Sequence, residues 1–139
     1  MNYEQFNAFC RSLPDTTYAV QGGNSHIWKI NEKIFAIGGR GRSGKPSFSF
    51  KTSDSNYEFL KGHKGYSPAP HAGSRGGKWI QQLDTTWYRD DELKHYITES
   101  YRMVLKSKDK TQKTDSGDVA LGIGNYNGLN SQSTRGKLS

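Results

Sequence analysis

Two segments of the chain carry apolar residues at helical spacing, and the first lies at the start of the sequence. Asn2 is placed to cap this helix, with Gln5 in capping-box position, and Pro14 ends it at about Leu13. Intervals of three and four put the apolar residues on one helix face. These residues are Tyr3, Phe6, Phe9, Cys10 and Leu13.

The second helical segment, after residue 90, has the stronger pattern. Asp90, Asp91 and Glu92 occupy its first turn, where the helix dipole favours negative charge. A metal-binding acidic ridge is the alternative interpretation of these three acids, and dipole compensation is the favoured one. The apolar face predicted for this helix consists of Leu93, Tyr96, Ile97, Ser100, Tyr101 and Val104.

Between the two helices, β-branched and aromatic runs predict strands separated by turns. Asn31-Glu32 indicates a tight hairpin, and residues 38–46 are predicted to form a long, glycine-rich, basic loop. Ser53 or Asp54 caps a short helix, and prolines keep residues 66–71 extended. The predicted strands cover residues 16–20, 26–30, 33–37, 47–51 and 78–83.

This order of elements predicts an α+β domain. Strands joined by short turns pair antiparallel, and amphipathic helices cover an apolar sheet face. We therefore expect a two-layer sandwich, with the N- and C-terminal helices packed on one face of an antiparallel sheet. Core or sheet-face packing is expected for Trp28, Trp79 and Trp87. Residues 1–106 form the predicted domain, and the polar composition of 107–139 predicts a flexible, basic tail.

Composition narrows the class of protein. A single cysteine, Cys10, excludes an internal disulfide framework. The N-terminus lacks the features of a signal peptide, and no apolar run approaches the roughly 20 residues of a membrane span. The cytoplasm is therefore the expected compartment. The formal net charge of +7 favours an acidic partner, with nucleic acid first.

Several short motifs follow one another along the chain. They are Phe9 to Leu13 with Pro14, Lys33-Ile34-Phe35-Ala36, Phe48-Ser49-Phe50-Lys51, Ser67-Pro68-Ala69-Pro70-His71, Lys78-Trp79-Ile80, Asp91-Glu92-Leu93 and Ser100-Tyr101. Their order over residues 1–105 resembles that of the MmcQ/YjbR-like proteins. The resemblance implies a small α+β fold likened to the frataxin (CyaY) and secretion-chaperone folds, and a DNA-binding function. The loop at residues 38–45 and the tail depart from the family pattern.

The glycine-rich loop ends in Gly44-Lys45 but lacks the following Ser/Thr of a nucleotide-binding P-loop, because Pro46 takes that position. Its glycines and arginines instead suggest contact with phosphates, and an unliganded hairpin loop is the alternative. The basic loops at residues 40–45, 61–64 and 75–78 together predict a nucleic-acid interface, with DNA favoured over RNA. The predicted contact residues are Arg40, Arg42, Lys45, Lys61, Lys64, Arg75 and Lys78.

The sequence predicts no catalytic residue, metal or cofactor. His26, His63 and His95 have no metal-ligand spacing with one another or with Cys10. We therefore predict a non-enzymatic module that binds nucleic acid with little sequence specificity. A protein-binding or chaperone-like module is the alternative, and an enzyme using His71 and the basic loop is a third hypothesis. The sequence does not indicate the oligomeric state.

Overall fold

The computed structural model describes residues 1–70 and 77–107. These residues form an α+β domain, as predicted, and a 3-10 turn at Trp87–Arg89 leads directly into the last helix. The helices are α1 (Tyr3–Ser12), α2 (Asp54–Leu60) and α3 (Asp90–Lys106). The strands are β1 (Thr16–Gln21), β2 (Ser25–Ile30), β3 (Lys33–Arg40), β4 (Pro46–Thr52), β5 (Tyr66–Pro68) and β6 (Lys78–Gln82).

The strands form one antiparallel sheet in the order β1-β2-β3-β4-β6-β5. The β2–β3 connection is the predicted two-residue hairpin. Asn31 and Glu32 have φ values of 52° and 64°, a left-handed pair whose twist matches that of the flanking strands.

Strand β6 lies between β4 and β5, and Gln82 pairs with Phe48 on one side and Tyr66 on the other. The start of β4, the end of β6 and the start of β5 therefore meet at one end of the sheet. We call this end, formed by residues 40–46, 63–66 and 83–89, the upper end. Lys78 begins β6 at the opposite, lower end.

Helices α1 and α3 pack on one sheet face, which confirms the predicted arrangement. The capping box at the start of α1 is also confirmed, because Asn2 and Gln5 exchange hydrogen bonds. Phe6 of α1 stacks on Phe48, with ring centroids 4.8 Å apart. A Cβ at Gly38 would lie 2.9 Å from the Phe6 ring, so the helix approaches the sheet this closely because Gly38 has no side chain.

Ser100 fastens α3 to two strands at the centre of this face. Its hydroxyl donates to the Phe35 carbonyl at 2.7 Å and accepts from the Lys51 amide at 3.1 Å. The register between β2 and β3 shifts here, which leaves Phe35 without a paired residue on β2. Ser100 therefore satisfies backbone groups at an irregular point of the ladder, which accounts for a buried serine on an otherwise apolar helix face.

The second face of the sheet carries a smaller apolar cluster. Successive residues of a strand point to opposite faces, so Trp79 and Ile80 of β6 belong to different clusters. Ile80 joins the main core beneath the helices. Trp79 is buried with Ile27, Ile37 and Ala69 on the second face. Core packing of Trp28 and Trp79 is thus confirmed.

The extent of the predicted glycine-rich loop was wrong. Strand β3 continues through Gly38 and Gly39 to Arg40, and β4 begins at Pro46, so the loop comprises only residues 41–45. Glycine is a poor strand former, but the contact with Phe6 makes a glycine necessary at position 38. The predicted proline-rich extended segment contributes a further strand, β5.

The predicted flexible tail falls outside the described residues from residue 108 onward and stays a prediction.

Tyr101→Ala should destabilise the domain by about 3 kcal/mol or more, because it removes a buried ring from the helix–sheet interface. The ring packs edge-on against Phe35, with centroids 5.4 Å apart, and the hydroxyl donates to the Pro14 carbonyl at 2.7 Å. Urea denaturation measures the change. Tyr101→Phe is the matched control and should cost about 1 kcal/mol, the value of one hydrogen bond. An unchanged midpoint for Tyr101→Ala would contradict the packing described here.

Candidate nucleic-acid interface

A broad groove of about 950 Å³ opens at the upper end of the sheet. The loop 41–45 lies along one side, the segment 67–70 lies along the other, and Gln81 and Leu83 line it between them. Gln81 adjoins the core residue Ile80 in β6, so the groove lies on the face opposite α1 and α3. The Gln81 amide donates to the Ser67 hydroxyl at 3.1 Å and thereby links β6 to the far side of the groove.

The loop 41–45 is a compact turn held by its own backbone. The Gly41 amide donates to the Lys45 carbonyl at 2.8 Å, and the Gly44 amide donates to the Gly41 carbonyl at 3.0 Å. Gly44 has a φ of 83°, a conformation that favours glycine. Because these two amides are already bonded within the loop, they cannot form the cradle of amides that a phosphate-binding loop offers. The side chains of Arg42 and Lys45 are therefore the main groups with which this loop can contact a ligand.

Arg40, Arg42 and Lys45 all line this groove, and all three are exposed. Arg40 is the last residue of β3 rather than a loop residue, and its guanidinium donates to the Gly44 carbonyl at 3.1 Å. Within residues 1–70 and 77–107, no carboxylate forms an ion pair with any of these three side chains. The groove therefore presents three cationic groups to a ligand.

The other predicted contact residues are dispersed. Lys64 lies at the upper end, since the neighbouring Gly65 carbonyl accepts from the Leu83 amide at 2.7 Å. Lys61 pairs with Glu58 at 2.7 Å. Lys78 pairs with Asp54 at 3.4 Å at the lower end, about 10 Å along β6 from the groove residue Gln81. Arg75 falls outside the described residues.

Sequence reasoning missed the buried Arg89. Its guanidinium lies 2.9 Å from Asp84 and 3.2 Å from Glu92. Glu92 also accepts a 2.7 Å hydrogen bond from the Tyr66 hydroxyl, which in turn accepts from Gln82 at 3.2 Å. The network joins β5, β6 and the start of α3. Only the coincidence of Arg89 with acids five residues before and three residues after it hinted at this role.

Hydrogen bonds and charge stabilise the carboxylate of Asp84 in this network. Donation from the Thr86 hydroxyl and amide lowers the pKa of Asp84 below its ordinary value, and Arg89 adds to the effect. Glu92 of the same network pairs with Arg89 and accepts from Tyr66. It therefore links α3 to β5 in addition to compensating the dipole of the helix.

Trp87 and Tyr88 form an exposed aromatic pair beside this network. Trp87 is 79% exposed, so its predicted place in the core or against the sheet was wrong. It belongs to the 3-10 turn, outside the periodic face of α3, and this irregular element was not predicted. The two rings meet edge to face at 6.0 Å, and the Arg89 guanidinium carbon lies 5.8 Å from the centre of the Tyr88 ring.

The histidines of the described residues have local partners. His26 hydrogen-bonds the Tyr18 hydroxyl at 2.8 Å, and the His63 ring stacks on Phe59 with centroids 5.0 Å apart. No cluster of potential metal ligands occurs in residues 1–70 and 77–107. His71 falls outside the described residues.

Comparison with family models identifies the family of this chain. The YjbR model matches residues 11–103, which is more than half of the 139-residue chain. The chain belongs to the YjbR family. The match includes the loop 41–45, the Arg89 network and Trp87. Among curated proteins, none matches the chain significantly.

Two solved structures share the fold of this YjbR protein. A Pseudomonas syringae protein is 19% identical, with a TM-score of 0.62 over 75% of this chain and 99% of its own. A Deinococcus radiodurans protein with a DUF419 domain is 18% identical, with a TM-score of 0.62 over 79% of this chain and 83% of its own. At these identities the likeness extends to the fold alone.

None of the helices in the described part of the YjbR chain combines the length and the apolar character needed to cross a bilayer.

The Tyr66 hydroxyl should ionise about two pH units later than an exposed tyrosine. Burial is the largest cause, and it raises the pKa of Tyr66 to about 12. The folded state thus holds this proton more tightly than the unfolded chain, whose tyrosine pKa is about 10. The stabilisation is complete below pH 10 and is lost as the pH rises towards 12. Carbon-13 NMR of Cζ-labelled tyrosine, assigned with Tyr66→Phe, measures the midpoint. A midpoint near 10 would contradict the buried network.

Proposed function

We propose that this YjbR protein is a non-enzymatic module that binds the phosphate backbone of nucleic acid, with DNA favoured over RNA. The observation that supports it best is the grouping of Arg40, Arg42 and Lys45 along one groove with no ion-paired carboxylate in the described residues. Arginine can hold phosphate oxygens through two parallel hydrogen bonds, and lysine adds a point charge.

The shape and wider charge of the protein support the same function. The groove is open to solvent, and the net charge of +7 attracts a polyanion from a distance. None of the described residues that line the groove belongs to a helix, so we propose that the binding has little sequence preference.

A binding role fits the chemistry of the groove better than catalysis. Its described lining contains no carboxylate, imidazole or thiol. General acid–base catalysis requires such a group within hydrogen-bond reach of the reacting atoms. Arg40, Arg42 and Lys45 supply charge and hydrogen-bond donors, which suit a phosphate ligand that is held rather than transformed.

A protein-binding or chaperone-like role is the second candidate. The exposure of Trp87 and Tyr88 favours it, because aromatic residues are enriched at protein interfaces. The cationic side chains of the groove are the reason for preferring nucleic acid.

Binding of duplex DNA, measured by fluorescence anisotropy over a range of salt, should weaken as cations compete for the phosphates. Three contacts give a slope of about −3 in log K against log salt. Replacing Arg40, Arg42 and Lys45 together with Ala should flatten the slope. The fold should survive, since all three side chains are exposed.

The matched control removes the same charge from the other side of the sheet. Lys94, Arg102 and Lys106 are exposed on α3, and their joint change to Ala should leave most of the slope. Equal losses in the two triple variants would show that total charge, not the groove, causes binding. A wild-type protein that fails to bind DNA even at low salt would overturn the proposed function and favour a protein ligand.

A further inference from the structure

The upper end of the sheet carries both a cationic surface and an exposed aromatic surface. The groove supplies cations, and Trp87 and Tyr88 supply exposed rings. Isolated exposed apolar residues are common on proteins and need no explanation. Here the two rings are adjacent and are 79% and 58% exposed.

The groove and the aromatic pair are connected through Leu83 and Asp84. Leu83 lines the groove, and its Cδ2 would lie 3.3 Å from a Cβ at Gly41 of the basic loop. Trp87 follows Leu83 by four residues, which limits their separation to about 14 Å. Even at the spacing of about 3.4 Å per nucleotide that each strand has in a duplex, about five nucleotides cover this distance.

The Tyr88 ring contacts two side chains of the Arg89 network. Its hydroxyl lies 3.5 Å from Asp84, and the Arg89 guanidinium, itself fixed by two carboxylates, lies against the ring. Trp87 then meets Tyr88 edge to face. An aromatic surface that is already ordered loses little entropy when a flat group stacks on it.

Resting on the function proposed above, we propose that this site takes single-stranded nucleic acid. The phosphates lie along Arg40, Arg42 and Lys45, and unpaired bases stack on Trp87 and Tyr88. Base pairs in a duplex already stack on one another, so exposed rings gain access only to unpaired bases. The cationic side chains alone would be enough to bind phosphates. The aromatic pair adds affinity only for a strand whose bases are unpaired.

Tryptophan fluorescence reports this contact directly. Trp28 and Trp79 are each 1% exposed, and Trp87 is the exposed tryptophan of the described residues. Adding a single strand of about ten thymidines should quench the red-shifted emission of Trp87. The Trp87→Phe variant should lose the quenching and retain much of the binding, because phenylalanine can still stack.

Affinity measurements separate stacking from phosphate contact. Trp87→Ala should weaken binding of the thymidine strand by about tenfold, the effect expected when one stacked base is lost, and should leave duplex binding unchanged. Leu105→Ala is the control, since it truncates an exposed apolar residue near the other end of α3 and should change neither affinity. Thermal melting of each variant verifies the fold.

The outcomes distinguish the two proposals. A thymidine strand that binds with no quenching, and with equal affinity for wild type and Trp87→Ala, would overturn the stacking role and leave the phosphate-binding function standing. A higher affinity for duplex DNA than for the single strand would also overturn the stacking role and leave the phosphate-binding function standing. Failure of both nucleic acids to bind at low salt would overturn the function and the inference together.

Discussion

The Arg89 guanidinium, clamped between Asp84 and Glu92, is the interaction on which the upper end of this protein depends. Asp84 follows β6, Glu92 lies in the first turn of α3, and Glu92 also binds the hydroxyl of Tyr66 at the start of β5. The segment 84–92 is thus fastened to itself and, through Tyr66, to the start of β5. A single unpaired charge in this position would be costly, so the network holds as a unit or fails as a unit.

This point of attachment also explains why the candidate site is preorganised. Leu83 and Asp84 both donate their amides to the Gly65 carbonyl, which fixes the chain as it leaves β6. In sequence, the groove residue Leu83 directly precedes Asp84 of the Arg89 network. Trp87 and Tyr88 lie between Asp84 and Arg89. The two faces of the sheet differ in their surroundings. One face packs against the helices, and the other carries a small apolar cluster and the cationic groove.

The helices, the Asn31-Glu32 hairpin and most strands could be predicted because local spacing and turn chemistry determine them. Gly38 shows the limit of such reasoning. It looks like a loop residue, yet it lies in a strand because Phe6, far away in sequence, needs the space of its missing side chain. Trp87 shows the opposite error. Its apolar side chain predicts burial, yet it is exposed because it lies in a short 3-10 turn outside the apolar face of α3.

The candidate site could be predicted only in part for a related reason. Arg40, Arg42 and Lys45 are neighbours in sequence, and their shared groove follows from one short loop. Lys78 is as basic, but strand register carries it to the lower end, where Asp54 pairs with it. Arg89 was overlooked although its partners Asp84 and Glu92 are close in sequence, because it lies in a 3-10 turn that the periodic pattern did not predict.

The central claim is that nucleic acid lies along the upper end of the sheet and contacts both the basic loop and the aromatic turn. Amide chemical-shift mapping of nitrogen-15-labelled protein tests it most directly, with a single strand of about ten thymidines as the ligand. The account predicts shifts in residues 41–45 and 83–88, including the indole N–H of Trp87, and none at Asp54 or Lys78. Shifts confined to the lower end or to the outer face of α3 would contradict it.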